Sequence, residues 1–357
     1  MKRVLIGLVA LLLLGGVAVF VALGNPSVQD GLLERAVAAR AGAAPLLPAP
    51  DRLEVLFCGT GSPLPDETRG ASCLLVLAGE RMILVDAGPG AWQGLNRAAV
   101  PLGGLSAVLL THFHSDHVGG LGEVTLYSWI GGRKAPLPVY GPPGVERIAE
   151  GFNTVYALDS VYRTAHHGAE LLPPDATGLE SRTVPMPGEE GRLVLSEGKL
   201  EIVAFRVDHS PVEPAYGYRI VYGDRALVVS GDTVKHPNMA RFGRGADLMI
   251  HEALARHMVA GMADALEGAG ALANAKLLRD TIDYHTSPVE AAESANEAGV
   301  PWLLYTHVVP PLPNAVMRRS FLRGVAAVRP EGVRIAEDGL LVSLPLGSEA
   351  VGFSMRP

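Results

Sequence analysis

The sequence predicts an α/β architecture in which two mixed β-sheets pack together with helices outside. Three observations lead there. Short apolar runs, bounded by Gly, Pro, Asn and Asp, recur along the chain as strands. Helical patterns alternate with them in both halves. Several runs end in polar loops that carry His and Asp. Hydrophobic residues make up 48% of the chain and charged residues 19%, which supports a large core and excludes disorder. The net charge of −7 and the lack of a long basic run argue against a general nucleic-acid coat protein. Two cysteines exclude a disulfide scaffold and a cysteine-rich zinc site.

The first element is a hydrophobic N-terminal helix. Lys2 and Arg3 precede the uncharged run Val4–Leu23, long enough to span a bilayer. The leading cations favour a cytoplasmic N-terminus and export of the rest. Ala22-Leu23-Gly24 resembles a signal cleavage site, but the run is longer than a usual signal core, so a retained anchor is favoured over a cleaved signal. Residues 25–52 read as a linker, with a short amphipathic helix over Gly31–Arg40 and a stiff extended stretch over Ala44–Pro50. Residues 1–24, 25–52 and 53–357 are thus the expected anchor or signal, linker and catalytic domain.

Strands are expected at Leu53–Phe57, Cys73–Leu77, Met82–Val85, Ala107–Leu110, Leu200–Val207, Tyr216–Val221, Ala226–Val229, Asp247–Ile250 and Leu303–Tyr305. Pro288–Ala298 reads as a helix, with Ser287 as N-cap, Pro288 at the first position, Glu290 completing a capping box and Gly299 past the end. The Ala-rich stretch Met258–Leu278 reads as an inserted helix or lid. Cys58 and Cys73 lie on neighbouring strands, where two separate buried thiols are the default and a disulfide the alternative.

Thr111-His112-Phe113-His114-Ser115-Asp116-His117 carries the chemistry. His112 and His114 project the same way if the chain is extended there. Asp116 and His117 can turn toward a second metal as the loop enters a helix. Imidazole with carboxylate suits zinc, with manganese or iron as alternatives.

The HxHxDH pattern at 112–117 resembles the metallo-β-lactamase superfamily, over about residues 53–345. The resemblance implies an αββα sandwich with two metals between the sheets. It implies His112, His114 and His209 on one metal, Asp116, His117 and His307 on the other, and Asp232 bridging. The di-iron oxygen-reducing branch usually has Glu at the position of His114, so histidine there points to a zinc hydrolase. The loop Phe57–Pro63, the segments Asp208–Pro211 and Gly231–Thr233, and Ile250-His251-Glu252-Ala253 look like the ribonuclease Z-like group. In that group a His and a Glu act on the leaving group; here these are His285 and Glu252. Asp116, Glu252 and His285 are therefore the expected catalytic residues.

Two departures turn this expectation away from tRNA. Val308-Val309-Pro310-Pro311 stands where ribonuclease Z usually has Ser-Ser-Arg-Tyr, and 151–163, in place of a tRNA-gripping arm, has no lysine. With the apparent export signal, and with His307–Pro311 and His166-His167-Gly168 looking like an arylsulfatase-like branch, the expected function is an exported or membrane-anchored dinuclear zinc hydrolase. It would cleave sulfate or phosphate esters of small molecules by attack of a metal-bridging hydroxide. On this reading the protein is periplasmic or otherwise extracytoplasmic, held in the membrane through residues 4–23 or secreted. Nucleic acid is not an expected partner, and a homodimer is compatible. The alternatives are a ribonuclease Z-type 3′-tRNA endonuclease, a lactonase or β-lactamase, and a non-catalytic membrane-tethered binding protein. Weaker expectations place Asp86 behind a ligand histidine, and Lys235, His236, His166 and His167 near substrate. His251, Trp92, Trp129 and Trp302 are expected to pack in the core.

Overall fold

A computed structural model describes residues 15, 16, 19–42 and 44–356. The chain divides into two compact units, Met1–Pro45 and Leu46–Pro357. In the first, a helix spans Pro26–Ala41, starting earlier than the sequence suggests. Most of the apolar run at 4–23 lies outside the described residues. Among the described residues, no helix is long and apolar enough to cross a membrane.

The second unit holds two mixed sheets. Its strands are β1 (Arg52–Gly59), β2 (Cys73–Ala78), β3 (Arg81–Val85), β4 (Leu105–Leu109), β5 (Leu137–Gly141), β6 (Leu179–Thr183), β7 (Arg192–Glu197), β8 (Leu200–His209), β9 (Val212–Tyr222), β10 (Arg225–Val229), β11 (Leu248–Leu254), β12 (Trp302–Val309), β13 (Val333–Ile335), β14 (Leu340–Pro345) and β15 (Gly352–Met355). One sheet runs β15-β14-β1-β2-β3-β4-β5-β6 and the other β13-β12-β11-β10-β9-β8-β7. The expected strands are all present; β5, β6, β7, β13, β14 and β15 are additional.

Central strands such as β2, β3 and β10 read as nearly unbroken apolar runs because both of their faces are covered. In β1, Leu53, Val55 and Phe57 enter the cluster between the sheets, where they meet Ile202, Tyr218, Ile220 and Leu227 of the opposite sheet. Leu56 and Cys58 face the other way, into a cluster with Leu95, Leu121 and Val124 from helices. A third cluster seats Ala291, Ala292 and Ala295 of helix Pro288–Ala298 on Val228, Met249 and Leu303. That helix keeps its expected capping box, with Ser287 Oγ accepting from Glu290 N and Glu290 Oε2 accepting from Ser287 N.

The default expectation of two separate thiols is corrected: Cys58 and Cys73 form a disulfide. The β1–β2 register slips between Phe57 and Gly59, and this irregularity brings Cys58 to Cys73 with Cα atoms 5.1 Å apart. The bond closes a loop spanning 15 positions of sequence. Replacing both cysteines by alanine is expected to cost about 3 kcal/mol through the lost constraint on the unfolded chain. Urea midpoints would check this: dithiothreitol should lower the midpoint of the native chain and leave that of the double variant unmoved.

Candidate metal centre

The expected ligands come together from the ends of strands in both sheets. His112 and His114 follow β4, and His114 is the N-cap of the short helix Ser115–Val118, which carries Asp116 and His117. His209 ends β8, Asp232 follows β10 and His307 lies in β12. Two register shifts aim the histidines. Between β11 and β12, Glu252 pairs with Thr306 and Ala253 with Val308, so His307 is left over and takes φ 45. In β8 the shift falls between Val207 and His209. Gly231, at φ 62, leads into Asp232; a Cβ there would sit 2.7 Å from Tyr216 O.

His112, His114, His209 and Asp232 form one group whose ligand atoms all lie within 4.8 Å of one another. Asp116, His117 and His307 form a second such group. Asp232 joins them. Its Oδ2 is 3.3 Å from both His117 Nε2 and His307 Nε2, and 3.9 Å from His112 Nε2 and His209 Nε2. Two donors on one tetrahedral zinc, each at about 2.0–2.1 Å, stand roughly 3.3 Å apart, so the spacing fits. His112 Nε2, His117 Nε2 and Asp232 Oδ1 are buried without hydrogen-bond partners. Such orphans are costly unless something else satisfies them, and a pair of divalent metal ions does so. Five imidazoles with two carboxylates suit zinc.

Electrostatics divides the two groups. Burial pushes His112 well below the ordinary imidazole value and lowers His114 and His209, which keeps all three in the neutral ligand form. Burial also opposes charge on His117 and His307, but Asp232 and Asp86 lift His117 well above its usual value, and Asp232 and Asp116 lift His307 to about 9. Burial alone would raise Asp232; His307 and His117 hold it well below the usual carboxylate range. These negative oxygens therefore attract cationic charge, and protons and metal compete for the same nitrogens.

A supporting set of groups orients the ligands. Asp86 accepts from Thr111 N and Thr111 Oγ1 at 2.8 and 2.9 Å and faces His117 Nδ1 at 2.7 Å. Tyr284 O lies 3.0 Å from His209 Nδ1. Thr111 and Tyr284 escaped the sequence reading. Thr111 stood beside the motif and could have been found, whereas a carbonyl partner leaves no side-chain signal.

His285 and Glu252 meet beside the ligands, with His285 Nδ1 3.2 Å from Glu252 Oε1. Glu252 Oε1 accepts from Thr286 N at 2.9 Å and Thr233 N at 3.3 Å, which fixes the carboxylate. A cavity of about 220 Å³ is lined by His114, Asp116, Asp232, His285 and His307 on one side and by Leu64, Leu278, Tyr284 and Val309 on another. The stretch expected as a lid is two helices, Arg256–Gly268 and Leu272–Asp280. A larger cavity of about 660 Å³, lined by Trp129, Phe152 and Tyr156 among others, shares no residue with the ligand groups.

Other expected residues lie elsewhere. Lys235 is bound to Glu293 and Glu297, each at 2.9 Å. His236 caps helix Pro237–Gly243. His166 and His167 are exposed at the end of helix Val145–His167. None of these four lines the cavity over the ligands. His251 and Trp129 are buried, as expected, while Trp92 and Trp302 pack at core margins.

If Asp86 sets the His117 tautomer, Asp86→Asn should present an N–H to Nδ1 and move the imidazole proton to Nε2. Metal affinity should fall about 10–100-fold, as read by zinc competition against a chromogenic chelator.

Comparison with known proteins places this geometry. The family described as "Beta-lactamase superfamily domain" matches residues 81–308, a span that holds all seven ligand candidates. A protein named Ribonuclease Z from Mycobacterium bovis is 37% identical over 261 residues, covering 72% of this chain and 86% of that protein. Ribonuclease Z from Mycolicibacterium paratuberculosis is 36% identical over 263 residues, covering 73% and 87%. Among solved structures, the short form of human tRNase Z superposes with a TM-score of 0.60 at 22% identity, covering 82% of this chain and 100% of that one. A metallo-beta-lactamase fold protein from Bacillus subtilis gives 0.59 at 22% identity, with the same coverage. At such identity these two speak to fold alone.

These findings correct three expectations. The reading as an exported sulfatase-like enzyme is overturned by the ribonuclease Z relatives, whose identity runs through most of the chain. The extracytoplasmic placement is corrected with it by the same ribonuclease Z relatives; most of the run at 4–23, on which it rested, lies outside the described residues. The exclusion of nucleic acid and the small-molecule substrate conflict with relatives named for action on RNA.

Proposed function

Since the chain belongs to the beta-lactamase superfamily and, within it, to the ribonuclease Z family, making it a metal-dependent hydrolase of ester bonds, we propose that it is a phosphodiesterase that cuts RNA at the 3′ side of tRNA precursors. One observation carries the reading. Identity of 35–37% to ribonuclease Z extends over 72–73% of the chain.

In this proposal His112, His114 and His209 would hold one zinc and Asp116, His117 and His307 the other, with Asp232 within reach of both groups. Bound zinc supplies Lewis-acid polarisation of the phosphoryl oxygens and a water acidic enough to react near neutral pH. The protein's own groups do the rest. Asp116, whose Oδ2 is 3.0 Å from His307 Nε2, accepts a hydrogen bond from the attacking water and orients it. Glu252, fixed by two backbone N–H groups, stands 3.2 Å from His285 Nδ1 and stabilises the charged imidazole, and His285 Nε2 gives a proton to the departing ribose oxygen. The apolar wall of Leu64, Leu278 and Val309 keeps bulk water away from that transfer.

The test is a substrate panel on the full chain: precursor tRNA, bis(4-nitrophenyl) phosphate, an aryl sulfate and a lactone, with Asp232→Ala as control. Cleavage of the first two and of neither of the others is expected, and the control should be inactive. Aryl sulfate turnover without RNA cleavage would refute the proposal. His285→Ala should retain its metal and lose about 10²–10⁴-fold in kcat on RNA, where the leaving group is an alkoxide. It should lose far less on bis(4-nitrophenyl) phosphate, whose phenolate leaves unaided; equal losses would remove His285 from the acid role.

A further inference from the structure

One hydroxyl beside the metal ligands has no partner in the protein. Ser62 is 7% exposed, and its buried Oγ makes no hydrogen bond. The residue lines the cavity shared with Asp116, Asp232, His285 and His307. Thr306 Oγ1 is also buried and unpartnered, but Thr306 does not line that cavity.

The loop that carries Ser62 is held from several sides. Thr60 N and Thr60 Oγ1 both donate to Asp338 Oδ1, at 2.9 and 2.8 Å. Gly61 N donates to Gly70 O at 2.8 Å, and Val308 N donates to Thr60 O at 3.1 Å. Gly61 forms a parallel bridge with Val308, the residue after His307. Ser62 is thereby tied to the strand that carries a ligand, and its position is set before any substrate arrives. The loop also lacks slack, since a Cβ on Gly61 would meet Gly70 O at 3.0 Å and Arg69 Cβ at 3.1 Å.

An unmade hydrogen bond at a buried hydroxyl is destabilising. A rigid loop that keeps such a group at the wall of a reaction cavity is arranged for an acceptor that comes with the substrate. Ser62 offers one O–H donor. On the phosphodiesterase reading above, the acceptor that enters this cavity is a phosphoryl oxygen, whose negative charge grows during attack. We propose that Ser62 is a catalytic residue whose hydroxyl donates to one non-bridging oxygen of the scissile phosphate and binds it more tightly in the transition state. The proton stays on Ser62 throughout, so no covalent step involves this residue.

The test compares the full-length native chain with Ser62→Ala on a tRNA precursor whose scissile linkage is all-oxygen, Rp phosphorothioate or Sp phosphorothioate. Zinc content and the thermal midpoint are measured on both proteins. Removing an unpaired hydroxyl should leave zinc content unchanged and the midpoint unchanged or higher. On the all-oxygen linkage kcat/KM should fall about 10²-fold. Sulfur is a poor acceptor, so the loss should nearly vanish for one diastereomer and persist for the other. Equal losses on all three linkages, full activity of Ser62→Ala, or a lower midpoint with loss of zinc would each overturn the proposal. A native chain that cleaves none of the three linkages overturns the phosphodiesterase reading together with it. Native cleavage beside a fully active Ser62→Ala overturns the Ser62 role alone.

Discussion

The structure turns on burying a dense set of ionisable groups where two sheets meet. His112, Asp116, His117, His209, Asp232 and His307 are each less than a tenth exposed. Withdrawing so many polar atoms from water is tolerable only if they satisfy one another or share a cation. Mutual satisfaction is partial: Asp232 Oδ2 faces four imidazoles, yet Asp232 Oδ1 and the Nε2 atoms of His112 and His117 stay unpaired. A pair of divalent ions completes the arrangement. The carboxylates of the second group already bias it toward positive charge, and the first group offers neutral nitrogens.

The scaffold serves this constraint by bringing strand ends from both sheets to one place. Asp86 and residues 112–117 come from the first sheet, while His209, Asp232, Glu252 and His307 come from the second. The two sheets are joined just there: Tyr218 Oη donates to Leu110 O at 2.7 Å, and Tyr216 N donates to Thr111 O at 2.9 Å. Strands alone would point alternate side chains away from the site. Irregularities solve this, namely the extra residue at His307, the shift before His209, and the left-handed backbone of Asp86 and Gly231. Ligand geometry is therefore stored in departures from regular strand structure, held in place by a large apolar core.

This division explains what could be read from sequence. The cluster at 112–117 is local and dense, and His209, Asp232 and His307 follow apolar runs that announce strands. The inter-sheet core was legible because strands covered on both faces are continuously apolar. β6 escaped notice because Leu179–Thr183 is largely polar, and β7 because its short apolar run Leu193–Leu195 is flanked by Arg192, Ser196 and Glu197 at an exposed sheet edge. The Cys58–Cys73 bond depends on a register slip that no spacing rule reveals. Substrate class was misread for a related reason. Val308–Pro311, 151–163 and the run at 4–23 are local features, whereas the resemblance to ribonuclease Z is spread along most of the chain. Ser62 and the carbonyl of Tyr284 were invisible because their importance lies in what they face.

Roof and floor of the cavity are parts of one packing unit, and this bears on how the site works. Helices Arg256–Gly268 and Leu272–Asp280 bury Val259, Ala263, Ala275 and Leu278 in a cluster that also takes in Leu254 and Val309. Leu254 ends β11, which carries Glu252, and Val309 ends β12, which carries His307. Leu278 and Val309 also line the cavity. The apolar wall therefore does two things at once. It lowers the local dielectric around the cavity, which under the proposed function would strengthen the action of the Glu252–His285 pair and the carboxylates on charge that develops during reaction. It also braces the strand ends from which those groups project, so a displaced Leu278 would loosen Val309, and with it the position of His307. Bracing of the strand ends and cover over the cavity thus come from the same few side chains, so under the proposed function a helix pair with no charged residue on the cavity would still govern the chemistry beneath it.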